Sequence, residues 1–209
     1  MPTINGITAS IHTHDGKLEE YEVDEFPGGV SCYIAAHSGQ QFWLNYNIDH
    51  PIRAKAVSVE FYVDGKRVDT QFPLAVEGDG PATVGPVQSS ITSQYGKDEE
   101  GNVYRRDVFF TLMGKPKDAT ENSSRPSSAA GTSSRETSGI IECKVFRAEK
   151  TGEWAGSITP DDISGSVPVN KNSLRRKGLT HTVRLGASIP AAKIIAYTSY
   201  GVGQSFPTQ

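Results

Sequence analysis

Apolar positions in this chain recur with a period of two. In Val57-Ser58-Val59-Glu60-Phe61-Tyr62-Val63, valine or phenylalanine fills every second position, the alternation of a strand that buries one face. Asp64-Gly65 follows, a pair suited to the positive φ angles of a tight hairpin turn. Lys66 to Thr70 then reads as the return strand. The N-terminus repeats the pattern: Ile7, Ala9 and Ile11 alternate with Thr8, Ser10 and His12, Asp15-Gly16 turns, and Leu18 to Val23 is the expected return. Further strands are predicted over 30–35, 41–46, 103–113, 140–147, 180–185 and 193–200. No segment sustains a 3.6-residue apolar period over three turns, so helix is confined to one short stretch at 172–177, capped by Asn172 or Ser173 and stopped by Gly178. About nine or ten strands at this spacing predict an all-β, antiparallel β-sandwich of jelly-roll or immunoglobulin-like topology.

One segment breaks the alternation. Between Gly114 and Gly139 there is no aromatic residue and no Val, Ile or Leu, while Ser, Thr, Pro, Lys and Glu dominate. Such a stretch has nothing to bury against the entropy cost of ordering. It reads as a disordered insertion at about 115–138 within a single domain spanning 1–209. The chain's 21 Gly and 12 Pro fit a turn-rich fold. A net charge of −3 argues against a general nucleic-acid binder, which needs a basic surplus. No apolar run reaches membrane-spanning length, and the N-terminus lacks the basic and apolar regions of a signal peptide. Two cysteines are too few for a disulfide framework. No nucleic acid and no membrane is therefore expected among the partners, and the expected location is cytoplasmic, with the nucleus as the alternative.

Several short blocks then carry a resemblance. They begin with Ile7-Thr8-Ala9-Ser10-Ile11 before Asp15-Gly16, followed by Glu20-Tyr21-Glu22-Val23, Cys32-Tyr33-Ile34-Ala35 and Ser38-Gly39-Gln40-Gln41-Phe42. Tyr62-Val63-Asp64-Gly65, Gly139 to Val145 and Lys177 to Gly186 complete the series. Together they resemble a large fungal family of uncharacterised proteins, a domain of unknown function. The resemblance implies a fungal source and a cytosolic or nuclear β-sandwich with a Lys-Gly-containing strand near its C-terminus. It implies no catalytic residues.

The densest ligand-like cluster is His12-Thr13-His14-Asp15, because imidazoles at i and i+2 on a strand project to one face and could share a metal ion. A structural zinc site wants four ligands and no partnering motif is present, so His12 and His14 stand as weak metal candidates and an exposed strand end is the simpler reading. Cys32 and Cys143 lie in apolar strands and read as buried free thiols; whether they are close enough to pair is open. No G-x-S-x-G occurs, and Gly78 to Gly85 lacks the Lys-Ser/Thr of a phosphate loop. The acidic pairs Glu19-Glu20, Asp98-Glu99-Glu100 and Asp161-Asp162 read as solvated turns, and Arg175-Arg176-Lys177 as a solvated helix end.

In Phe42-Trp43-Leu44-Asn45-Tyr46, a core face of Phe42, Leu44 and Tyr46 puts Trp43 and Asn45 outside. An external Trp beside an amide suits a sugar ring or a protein hot spot. From Ala187 to Gln209 the only charged residue is Lys193, with Tyr197, Tyr200 and Phe206 among the apolar ones. That tail either closes its own sandwich or pairs with another subunit as a homo-oligomer. The expected function is a non-enzymatic intracellular binding module for protein interaction or self-assembly, with Trp43, Asn45, Tyr197, Tyr200 and Phe206 as its binding surface and no cofactor. A carbohydrate-binding, lectin-like sandwich is the alternative, and an enzyme with an unrecognised site the second.

Overall fold

The computed structural model describes residues 2–73, 82–112, 139–153, 181–191 and 198–202. Among them every regular element is a strand, and no helix is long and apolar enough to cross a membrane. The first quarter contains β1 (Thr3–Ile4), β2 (Ile7–Thr13), β3 (Gly16–Lys17), β4 (Glu20–Phe26), β5 (Gly29–Ile34) and β6 (Gln41–Ile48). The middle adds β7 (Ile52–Arg53), β8 (Ala56–Val63), β9 (Lys66–Gln71), β10 (Thr83–Val84), β11 (Val87–Ile91), β12 (Ser93–Lys97) and β13 (Val103–Leu112). The remainder supplies β14 (Ile141–Glu153), β15 (His181–Leu185), β16 (Ile189–Pro190) and β17 (Thr198–Val202). The predicted helix at 172–177, the insertion at 115–138, and the clusters at 161–162 and 175–177 lie outside the described residues.

All pairings are antiparallel, and two sheets share the core of a β-sandwich. In the first sheet β6 is central. β2 runs along one edge with Ile11 opposite Leu44 and Ile7 opposite Ile48. The other edge is shared between β11, and β13 at Phe42 and Gln41. β12 pairs with the opening half of β13, whose far edge takes β15 and β16. The second sheet has the order β17-β14-β8-β9.

Strand alternation turns Phe42, Leu44, Tyr46 and Ile48 of β6 toward Val57, Val59, Phe61 and Val63 of β8, and all eight are buried. Phe42 is the joint. Its ring stacks on Phe110 with centroids 4.0 Å apart and meets Phe61 edge-on at 6.3 Å, so one side chain joins three strands and both sheets. Each such burial contributes about 1.5–3 kcal/mol, and a well-placed aromatic pair about 0.5–1.5 kcal/mol more.

Two polar ties fix the ends of this core. Gln71 on β9 accepts the Tyr46 hydroxyl at 2.8 Å and the Ser89 hydroxyl at 2.9 Å, and donates to the Ser90 carbonyl at 2.8 Å. The second tie is Asp64. Its φ of 51° and the 75° of Gly65 form the hairpin that the Asp-Gly pair predicted. Its carboxylate accepts the Gly139 N–H at 2.5 Å, the Ile140 N–H at 3.2 Å and the Thr182 hydroxyl. One turn residue of the second sheet thereby holds the start of β14 and strand β15 of the first sheet.

Three features depart from the sequence reading. The return strand expected over Leu18 to Val23 is cut short: β3 ends at Lys17, and one further bond, from the Leu18 N–H to Ile11 O, closes it. β1 already occupies the rest of that edge, with Thr3 opposite Thr8 and the Ala9 N–H on Pro2 O, so the chain leaves and β4 pairs with β5 instead. Second, the outward positions of β8 are not solvated: Ser58 and Glu60 are buried, with the Glu60 carboxylate accepting Ser58 Oγ at 3.2 Å and Tyr62 OH at 2.7 Å. Third, β11 and β12 arise from a Ser- and Gln-rich run that carries no strand alternation of its own. In the tail, β17 pairs with β14 of the same chain, Val202 opposite Ala148, with a register shift between Lys150 and Gly152.

Asp64→Gly keeps the turn backbone but removes the carboxylate. We expect a loss of about 2–3 kcal/mol in urea unfolding, with a smaller loss for Asp64→Asn. A loss under about 0.5 kcal/mol would show that the carboxylate ties nothing down.

Candidate binding surface

The alternation that buries Phe42 and Leu44 puts Gln41, Trp43, Asn45 and Asn47 on the opposite face of β6. Register with β2 sets His12 opposite Trp43, Ser10 opposite Asn45 and Thr8 opposite Asn47. β11 adds Ser90 beside Asn45 and Gln88 beside Asn47. His12, His14, Trp43 and Asn45, singled out for different chemistries, thus share one polar sheet face.

Its groups are already engaged with one another. Ser10 Oγ lies 3.1 Å from His12 Nε2, and His14 Nε2 lies 3.4 Å from Gln41 Oε1. The His14 ring meets the Trp43 indole edge-on, with centroids 5.3 Å apart. Asn45 Oδ1 accepts Ser90 Oγ at 2.5 Å. Among the described residues no three His, Cys, Asp or Glu side chains gather as a metal site would need. Burial, and then the Lys17 ammonium, lower the His12 pKa from 6.5, against an opposing pull from Glu20. Trp43 is half-buried, so part of the indole remains open on this face. Tyr197 and Phe206 lie outside the described residues; Tyr200 falls within β17, of which only the backbone is described.

A second surface was not singled out from sequence. β4 and β5 form a two-stranded ribbon of their own. Tyr21 stands opposite Tyr33, Asp24 opposite Ser31, and Phe26 opposite Gly29. Gly29 is required there, because a Cβ would sit 2.3 Å from the Phe26 ring. Between Tyr21 and Asp24 the register shifts, and Glu22 has a φ of 50°; this bulge gives β4 one extra residue. Ile34 and Leu18 lean on the core, while every residue from Tyr21 to Phe26 is exposed. The signal available in sequence was that Glu19 to Phe26 offers neither face a wholly apolar row.

A family model for a domain of unknown function, DUF7918, matches residues 6–205. The chain belongs to that family. No curated protein and no solved structure matches it. Both surfaces of the DUF7918 domain fall within the matched span. So do its two cysteines, which are free and sit in separate sheets, Cys32 on β5 and Cys143 on β14. Desolvation pushes the Cys143 thiol up to about 12. Burial, followed by the Glu20 charge, also raises Cys32.

Both cysteines are half-buried, not buried as the sequence predicted. Two measurements follow. Alkylation of the native domain should still modify Cys32 faster than Cys143, whose thiol is the more strongly desolvated, and both should react at similar rates in denaturant; equal native rates would contradict that difference. Because folding lowers the His12 pKa, the folded state binds fewer protons there than the unfolded chain. That contribution to stability is present above the unfolded pKa and is lost as pH falls through the folded one. The melting temperature should therefore drop further between about pH 7.5 and pH 5 for the native protein than for His12→Gln. Parallel pH profiles would show that His12 titrates alike in both states.

Proposed function

We propose that the domain is a binding module for protein partners and that the β4–β5 ribbon is its docking element. One observation carries this reading. Six large apolar side chains are exposed among the described residues, and four of them, Tyr21, Val23, Phe26 and Tyr33, lie on this ribbon at 45–52% exposure. Two strands alone are marginally stable in water, and clustered exposed apolar side chains mark interaction sites. Aromatic side chains suit that role because they offer large contact area with few rotamers to freeze. Two free cysteines support a reducing, cytoplasmic setting. The fungal source rests on the resemblance of the sequence blocks.

The polar face supports a second reading, carbohydrate binding, because the half-buried Trp43 shares that face with Asn45 and Ser90. A glycan array with native and Trp43→Ala protein tests it directly.

A photo-crosslinking phenylalanine derivative in place of Tyr33 should trap discrete protein adducts in cells, and the same group in place of Gln88 on the polar face should not. Equal adduct patterns from both positions would sink the docking assignment. Sedimentation equilibrium over a concentration series reports whether the trapped partner is a second copy of the chain.

A further inference from the structure

Resting on that reading of the ribbon, we propose that its partner is an extended, Lys/Arg-rich peptide segment, held by carboxylates and aromatic rings together. Residues 19–26 carry Glu19, Glu20, Glu22, Asp24 and Glu25 with no Lys or Arg, and β5 carries no charge at all. Glu20 is paired with Lys17 at 3.0 Å; the other four carboxylates still outweigh the net charge of −3 of the whole chain, so the acidity of the molecule is concentrated where its apolar surface is exposed. Cross-strand register puts Tyr21, Tyr33, Asp24 and Phe26 on one face of the ribbon. The bulge at Glu22 and Val23 breaks strict alternation, which leaves the Val23 side chain exposed among these groups.

Guanidinium and ammonium groups are the ligands that both features favour. They pair with carboxylates and are attracted to the faces of tyrosine and phenylalanine rings. The same molecule already shows that contact elsewhere: Arg106 lies 5.0 Å from the Tyr104 ring centre, Lys144 4.3 Å from Tyr62, and Arg184 4.9 Å from Phe109. On the ribbon the Tyr21 hydroxyl donates to Glu19 Oε2 at 2.6 Å, and neither β4 nor β5 carries a Lys or Arg. Charge also sorts the competing occupants. A second copy would bring the four carboxylates of Glu19, Glu22, Asp24 and Glu25 against the same four, and like charges across an interface select against that pairing. Nucleic acid and anionic lipid are repelled for the same reason.

The probe is a fluorescent seven-residue peptide alternating Arg and Val, with a Glu-for-Arg version as control, titrated into the full chain at low salt. The Arg peptide should bind, the Glu peptide should not, and affinity should fall on the order of tenfold as salt shortens the screening length. Neutralising the ribbon with Glu22→Gln, Asp24→Asn and Glu25→Gln should weaken binding at least tenfold, and so should Tyr21→Ser with Tyr33→Ser. Asp24→Lys alone provides a single-site check, and unchanged circular dichroism melts show that each variant folds. No binding of the Arg peptide, or binding that any of these variants leaves unchanged, overturns the proposal. Loss with the charge variants but not the aromatic ones also overturns it, because that is undirected attraction to an acidic surface. Crosslinks from position 33 to a neutral or acidic protein would retain the docking element and refute the basic partner, which keeps the two failures apart.

Discussion

Much of this molecule follows from the contact of Phe42 with Phe61 across the two sheets. Stacked on Phe110 and edge-on to Phe61, Phe42 fixes the inner face of β6, and β6 is the strand to which β2, β11 and β13 all pair. A strand cannot turn one residue inward without turning its neighbours outward. Burying Phe42, Leu44 and Tyr46 therefore turns the half-buried Trp43 and Asn45 to the other side. The register that brings Ile11 against Leu44 then delivers His12 beside Trp43. The polar face is a geometric consequence of the core.

Apolar packing alone would leave the two sheets free to slide, since it has little directional preference. The partly buried hydrogen bonds of Gln71 and Asp64 supply direction. Each acceptor serves groups from separate stretches of chain, and any shift leaves a donor without its partner, which costs up to about 1–3 kcal/mol where the group is buried. Polar groups inside this protein set alignment, while apolar groups supply most of the driving force.

The β4–β5 ribbon obeys neither rule. Its carboxylates bar it from the core, and the edge beside β2 that it could have joined is filled by β1. What remains is a strand pair with one side leaning on the body through Ile34 and the other open. A ribbon that exposes Tyr21, Val23, Phe26 and Tyr33 lacks the apolar coverage that stabilises the rest of the fold. That deficit is what the proposed partner would make good.

The period-two rows at 57–63 and 41–46, and the Asp64-Gly65 turn, were legible because each is a local property: alternation sorts side chains by face, and two residues set a turn's φ angles. From these the all-β class followed, as did the outward placement of Trp43 and Asn45. Beyond the β8–β9 hairpin that the Asp64-Gly65 turn dictates, nothing local distinguished which strand would pair with which. The return after Asp15-Gly16 went elsewhere because an edge was already taken. Val87 to Lys97 became strands only because β6 and β13 offered them backbone partners. Glu60 and Ser58 were buried although their spacing marked them for solvent. The meeting of His12 with Trp43, and the exposure of Tyr21 with Tyr33, depend on pairings between separate stretches of chain. Alternation determines which face of a strand is apolar; only the competition among strands for edges decides what that face, or its reverse, will meet.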